Sequence, residues 1–150
     1  MASLLPHLLA VLVALLPGTI GAARAEPLVV IVNPASGVEK LSREEAVNIF
    51  MGRYRKLPSG ILAFPIDIGS QSPERQQFYR LLVRKDLPEI DAYWARLVFS
   101  GQTSPPLQAP DGATAVQLVA SNRSAIAYVD RALVDARVKV VIDFGRAAKP

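Results

Sequence analysis

A chain of 150 residues that is 51% hydrophobic, carries a formal net charge of +4 and has one histidine and no cysteine has the length of a single domain. The histidine, His7, stands in an apolar leader, so residues 26–150 contain neither His nor Cys. That composition excludes His-based triads, cysteine nucleophiles, Cys/His zinc sites, disulfides and a lipidated N-terminal cysteine.

Residues 1–25 hold 17 apolar residues and a single charge, Arg24. Leu8–Leu16 is an unbroken apolar run, Pro17-Gly18 interrupts it, and Ala23-Arg24-Ala25 places small residues at the two positions a signal peptidase reads. The pattern predicts a signal peptide over 1–25 with cleavage before Glu26, although its n-region offers only the terminal amine and His7 as positive groups. The competing reading is an uncleaved anchor; Leu8–Ala23 falls short of the ~20 residues that span a bilayer. The expected location is therefore the periplasm or beyond, with membrane contact only through an uncleaved leader. Residues 26–150 carry 16 Lys and Arg against 13 Asp and Glu, intermixed and without an aromatic-basic stripe, so no nucleic-acid partner is expected. They read as one domain able to bury roughly two-thirds of its unfolded surface.

Leu28–Val32 is a β-branched run closed by Asn33-Pro34, the pattern of a strand buried on both faces. Ala35–Lys40 then reads as loop. Ser42 with Glu45 three residues on forms a capping box before Val47, Ile49 and Phe50, and Gly52 stops the helix, predicted over 43–51. Ile61–Ile68 reads as a second strand, with Pro65 marking an edge or a bend because it has no amide to donate. Ser72 as cap, Pro73 at the first helical position and Glu74 in the first turn start the next helix, whose apolar stripe is Phe78, Leu81 and Leu82. Asp86 to about Val98 is a further helix with Ile90, Trp94, Leu97 and Val98 at helical spacing. Gly101–Pro110 reads as loop. Asp111 caps a helix ending near Asn122, Ala125–Val129 and Val138–Ile142 are strands, and Arg131–Ala136 allows one helical turn between them; residues 145–150 are expected to fray. The predicted class is α/β, with helices packed on a small mixed sheet.

The sharpest candidate for chemistry is Asp67-Ile68-Gly69-Ser70-Gln71-Ser72, which runs from a strand into a helix start. Unpaired first-turn amides, a Gly and two hydroxyls suit an oxyanion, with Arg75 supplying charge if it points inward. The bland alternative is that Ser72 only caps and Gly69 only turns. Asn33-Pro34-Ala35-Ser36-Gly37 is a second strand-end loop, equally readable as a turn. The Arg53-Tyr54-Arg55-Lys56 cluster suits an anionic surface or a solvated helix end. Tyr93-Trp94 suits a ligand, a partner or the core. Asp67 is the one acid placed beside the Gly-Ser loop, and no second carboxylate has a diagnostic spacing to it. With no His to activate a serine and no Gly-x-Ser-x-Gly elbow, no catalytic residue, cofactor or metal is expected.

Several segments together, Leu41-Ser42-x-Glu44-Glu45-x-x-x-Ile49-Phe50-x-Gly52-Arg53, the Gly/Ser loop entering a helix with Phe78-Tyr79, Tyr93-Trp94 and Ala125-Ile126-Ala127-Tyr128-Val129, resemble the substrate-binding proteins of phosphate ABC transporters. The resemblance covers about residues 29–142 and is greatest to the short, single-lobe members. It implies one lobe of a type II periplasmic-binding-protein-like fold over 26–150, a phosphate or similar oxyanion ligand, and an ABC transporter or other envelope protein as partner. Gly69-Ser70-Gln71-Ser72 falls where the family carries its Asp-Gly-Ser-Gly-Thr-Ser ligand loop, so Ser70 and Ser72 carry over as ligands. Gln71 stands where the family has a Gly, and Ile66 where it has an Arg. The expected ligand-binding set is Gly69, Ser70, Gln71, Ser72 and Arg75. Two other readings stay open: a non-catalytic envelope interaction module that has lost its ligand, and a homodimer that rebuilds a two-lobed cleft.

Overall fold

The computed structural model describes residues 27–146; the expected signal peptide and its cleavage site lie outside the described residues, as do residues 147–150. Strand β1 (Leu28–Val32) runs antiparallel to the later strands on either side of it. These are Ala125–Asp130 and Lys139–Asp143, numbered β4 and β5 in chain order. Strand β2 (Phe64–Ile68) runs parallel to β4 and to β3 (Leu107–Ala109), which gives the spatial order β3-β2-β4-β1-β5. All of β1 and Ala125–Val129 of β4 are buried, as continuous apolar runs in the middle of a two-sided sheet should be.

Helices α1 (Arg43–Phe50), α2 (Pro73–Val83), α3 (Leu87–Phe99) and α4 (Gly112–Ser121) cover the sheet. Neighbouring residues of a strand point to opposite faces, and β4 shows which helix lies where. Tyr128 stacks on Phe78 of α2 with ring centroids 3.8 Å apart and meets Phe50 of α1 edge-on. Val129, one residue on, lies with Ile68 beneath Gly112 at the start of α4. The sheet is therefore sandwiched between α1 and α2 on one face and α4 on the other, with α3 packed on α2.

The helix starts follow their predicted chemistry. Ser42 Oγ accepts from the Glu45 amide at 3.1 Å while Glu45 Oε2 accepts from the Ser42 amide at 2.7 Å, completing the capping box. Two strand expectations change. Residues 61–63 belong to a turn closed by the Leu57–Ile61 and Arg55–Ala63 backbone bonds, so β2 begins only at Phe64. Pro65 is not on the sheet's edge strand, but β3 pairs with β2 only from Ile66 onward. The Phe64 amide donates toward β4, so the ring nitrogen of Pro65 faces the side where β3 has not yet begun, and no ladder bond is lost. The expected loop 101–110 contains β3, a three-residue strand at the edge. Among the described residues no helix is long and apolar enough to cross a membrane.

Candidate functional site

The loop after β2 is held from both ends. Its Gly69 amide donates to Ala109 O at 2.9 Å, tying it to the end of β3. Ser72 Oγ accepts from the Arg75 amide at 3.1 Å and donates to Ile68 O at 3.3 Å, with Pro73 at the first helical position where no amide is needed. Ser72 is thus a true cap. Ser72→Ala is expected to cost about 1 kcal/mol, read as a lower urea midpoint.

Behind this loop lies a buried polar cluster. Asp67 points to the α2 face and is 1% exposed; Arg75, in the first turn of α2, is 3% exposed. Arg75 Nε donates to Asp67 Oδ2 at 2.9 Å, and its Nη1 donates to Asp91 Oδ1 of α3 at 3.0 Å and to Ser70 O at 2.9 Å. Its guanidinium also lies 5.4 Å from the centre of the Tyr79 ring. Asp67 accepts further bonds from the Tyr79 hydroxyl at 3.2 Å, from the Ile68 amide at 3.1 Å and from the Tyr128 hydroxyl. Burial alone would lower the Arg75 pKa, but the hydrogen bond and charge of Asp67, aided by Asp91, outweigh it and leave the group above its ordinary value. Burial, then the Asp67 charge, pushes both tyrosine hydroxyls up. The phenols therefore remain neutral donors to the carboxylate.

The predicted residues occupy distinct places. Ser70 and Gln71 are exposed, Gly69 and Ser72 half-buried, and Arg75 buried. Arg75 does point inward, but toward Asp67, and through Nη1 it clamps the Ser70 carbonyl; its Nη2 has no hydrogen-bond partner among the described residues. The amides of Ser70, Gln71 and Glu74 likewise carry no hydrogen bond among the described residues. Three donors at the positive end of α2 are thus left for solvent or an anion. Acids temper that field: Asp67 and Asp91 offset Arg75, and Asp111 caps α4 at the same end of the sheet, its carboxyl held below the usual range by the Thr114 bonds.

Sequence reading missed Tyr79, Tyr128 and Asp91 as partners of this cluster. Tyr79 stands four residues after Arg75 and so shares its helix face, a usable signal. The reach of Asp91 from α3 and of Tyr128 from β4 is tertiary. In the second candidate loop, Asn33 Nδ2 donates to the carbonyls of Val119 and Ala120, each at 2.9 Å, and Asn33 Oδ1 accepts from the Ala35 amide. Its polar atoms close the end of α4. Trp94 is buried in the core and Tyr93 donates to Met51 O at 2.6 Å.

Several solved structures share this fold. An ABC-type phosphate transport receptor from Vibrio cholerae superposes with a TM-score of 0.61 at 20% identity, over 77% of this chain and 45% of its own. A putative phosphate ABC transporter substrate-binding protein with bound phosphate, from Clostridium perfringens, gives 0.62 at 17%, over 77% and 44%. PstS from Borrelia burgdorferi gives 0.56 at 10%, over 77% and 46%. The chain spans less than half the length of each of these structures, and at such identities the likeness is one of fold. No protein-family model and no curated protein matches the sequence.

Proposed function

We propose that this chain is an exported, non-catalytic solute-binding-like domain that takes inorganic phosphate or a similar oxyanion on segment 69–75. The observation that carries this reading is the trio of unbonded amides, Ser70, Gln71 and Glu74, beside the exposed Ser70 hydroxyl. Arg75 serves as a positioning residue, fixing the Ser70 carbonyl so that the loop presents those donors, with Nη2 as its remaining contact. Ser72 and Gly69 shape the turn. Asp67, the one buried acid among the described residues, is surrounded by donors and poorly placed for proton transfer. Delivery of the anion to an ABC transporter or another envelope protein belongs to the same proposal, supported by the fold shared with phosphate transport receptors.

The affinity follows from the geometry. Three or four bonds on a water-exposed loop, each worth about 0.5–1.5 kcal/mol net, correspond to a Kd near ~1 mM. Phosphate at ten to twenty times that concentration is expected to stabilise the fold by about 1.5 kcal/mol, a rise of roughly 3–6 °C in the unfolding midpoint. Sulfate should act similarly and chloride should not. Absence of a midpoint shift relative to chloride at equal ionic strength contradicts the ligand assignment. A second reading, an envelope interaction module without a ligand, is favoured by the carboxylates of Asp67 and Asp91 that already neutralise Arg75; under it, phosphate produces no shift.

A further inference from the structure

The end of the sheet opposite the Gly69 loop carries a groove that oxyanion binding leaves unused. β2 and β3 are parallel with Ile66 beside Leu107, so Phe64 and Leu107 mark the strand starts, whereas Gly69 and Pro110 follow their ends. Around those starts a cavity of about 270 Å³ is walled by Ile49, Tyr54, Phe64, Trp94, Pro106 and Leu107, with Arg55 also lining it. Gly52 makes the close approach to its floor possible: its φ is +70°, and a Cβ there would stand 2.8 Å from Trp94 Cη2. A second cavity of about 270 Å³ shares Ile49 and Tyr54 with the first and reaches Asn48, Lys56 and Pro58. The surroundings are apolar and open: Tyr54 is 57% and Leu62 67% exposed, and Phe64 and Leu107 are exposed as well.

Each cavity lies below the ~300–1,000 Å³ that encloses a whole small ligand, so each suits one apolar side chain, and their junction at Tyr54 suits a chain that continues from one to the other. Each is also lined by one cation, Arg55 or Lys56. Neither cation, nor the neighbouring exposed Arg53, has an ion-pair partner among the described residues. Arg55 donates to the neutral Thr103 hydroxyl. Glu45, the acid at the second cavity, is engaged by the Ser42 amide. Exposed apolar patches with polar rims mark protein-binding surfaces, and the three cations Arg53, Arg55 and Lys56 outnumber Glu45 here, which favours an acidic partner.

We propose that this groove binds an extended acidic peptide segment of a partner protein, seating two apolar side chains in the adjoining cavities and carboxylates on Arg55 and Lys56. The chain's single tryptophan, Trp94, lines the first cavity and reports its occupancy by fluorescence. The test selects a displayed library of random nine-residue peptides on the immobilised protein, then titrates the enriched sequences while recording Trp94 emission. The expected consensus has at least three Asp or Glu and one or two of Leu, Ile, Phe or Trp. Binding shifts Trp94 emission saturably, weakens at least tenfold when the acids are replaced by Asn and Gln, and weakens at least tenfold in the Arg55→Glu/Lys56→Glu variant, whose exposed substitutions leave the unfolding midpoint within a few degrees. The proposal is overturned by a neutral or basic consensus, by no enrichment over an unrelated protein, by binding without a Trp94 response, by affinity that survives the charge reversal, or by light scattering showing that a second copy of the chain already covers the groove. Phosphate stabilisation reads the opposite end of the sheet, so the two proposals stand or fall separately.

Discussion

Arg75→Ala is expected to lower the unfolding free energy by about 3–5 kcal/mol, the range for breaking a buried ion pair from one side. The size follows from what the substitution leaves behind. Asp67 remains almost fully buried with two phenol hydroxyls and one amide as donors, all neutral, and the carbonyl of Ser70 and the carboxylate of Asp91 lose their Nη1 bonds. Arg75→Lys is expected to recover less than half of the loss. The three acceptors are met by two different nitrogens of a planar fork, and one ammonium on a flexible stem cannot reach them together. Urea unfolding of both variants checks the magnitude, and hydrogen exchange at the bonded Gly69 and Ser72 amides should accelerate in each. A loss below about 1 kcal/mol for Arg75→Ala would show that the pair contributes little and that the loop is held by Ser72 and Gly69 alone.

Phe78→Ala is expected to cost a similar amount, about 3–5 kcal/mol, by leaving a cavity where three elements meet. The Phe78 ring stacks on Tyr128 at 3.8 Å, meets Phe50 at 4.8 Å and Tyr79 at 5.3 Å, and touches the chain after β5 through Phe144 at 6.1 Å. Phe78→Leu keeps most of that volume and should cost about 1–1.5 kcal/mol. Because the stack holds the Tyr128 ring, and Tyr128 donates to Asp67, the aromatic core and the polar cluster share a member. The double variant Phe78→Ala/Arg75→Ala is therefore expected to lose less than the sum of the single losses, by at least 0.5 kcal/mol. Additivity within a few tenths of a kcal/mol would show that the two are energetically separate.

How far the sequence reveals this arrangement depends on the range of the interaction involved. The helix starts are legible because their chemistry is local: Ser42 with Glu45, Ser72 with Pro73, and Asp111 each act on amides within three residues. β1 and β4 are legible because both faces are buried, which leaves unbroken apolar runs. β3 is not, since three residues set between Pro106 and Pro110, two of them exposed, show no alternation to read. The strand-to-helix loop that carries the proposed segment is legible from its Gly and Ser residues and the Ser72 cap. The role of Arg75 is not: an Arg in a first helical turn looks like an exposed ligand group until Asp67 and Asp91 are brought to it from β2 and α3. Asp67 stands beside the loop in the sequence, yet its partners Tyr79 and Tyr128 lie 12 and 61 residues away.

The fold is shared with phosphate transport receptors of which this chain spans less than half, and the donors proposed here lie on an exposed loop at the start of α2. That geometry limits what the site can do. It makes a weak, rapidly exchanging anion site physically reasonable and a tight one unreasonable, because hydrogen bonds in water contribute less than those in a closed cleft.

The most direct measurement is a phosphate titration followed by the backbone amide NMR signals of the isotopically labelled protein at constant ionic strength. The Ser70, Gln71 and Glu74 amides are expected to move together along a single saturating curve with a Kd near ~1 mM, while the amides around Tyr54 and Leu107 stay in place. Phosphate that leaves those three amides unmoved at ~20 mM, a concentration well above that Kd, or that moves only signals elsewhere, would contradict the assignment of an oxyanion site to the start of α2.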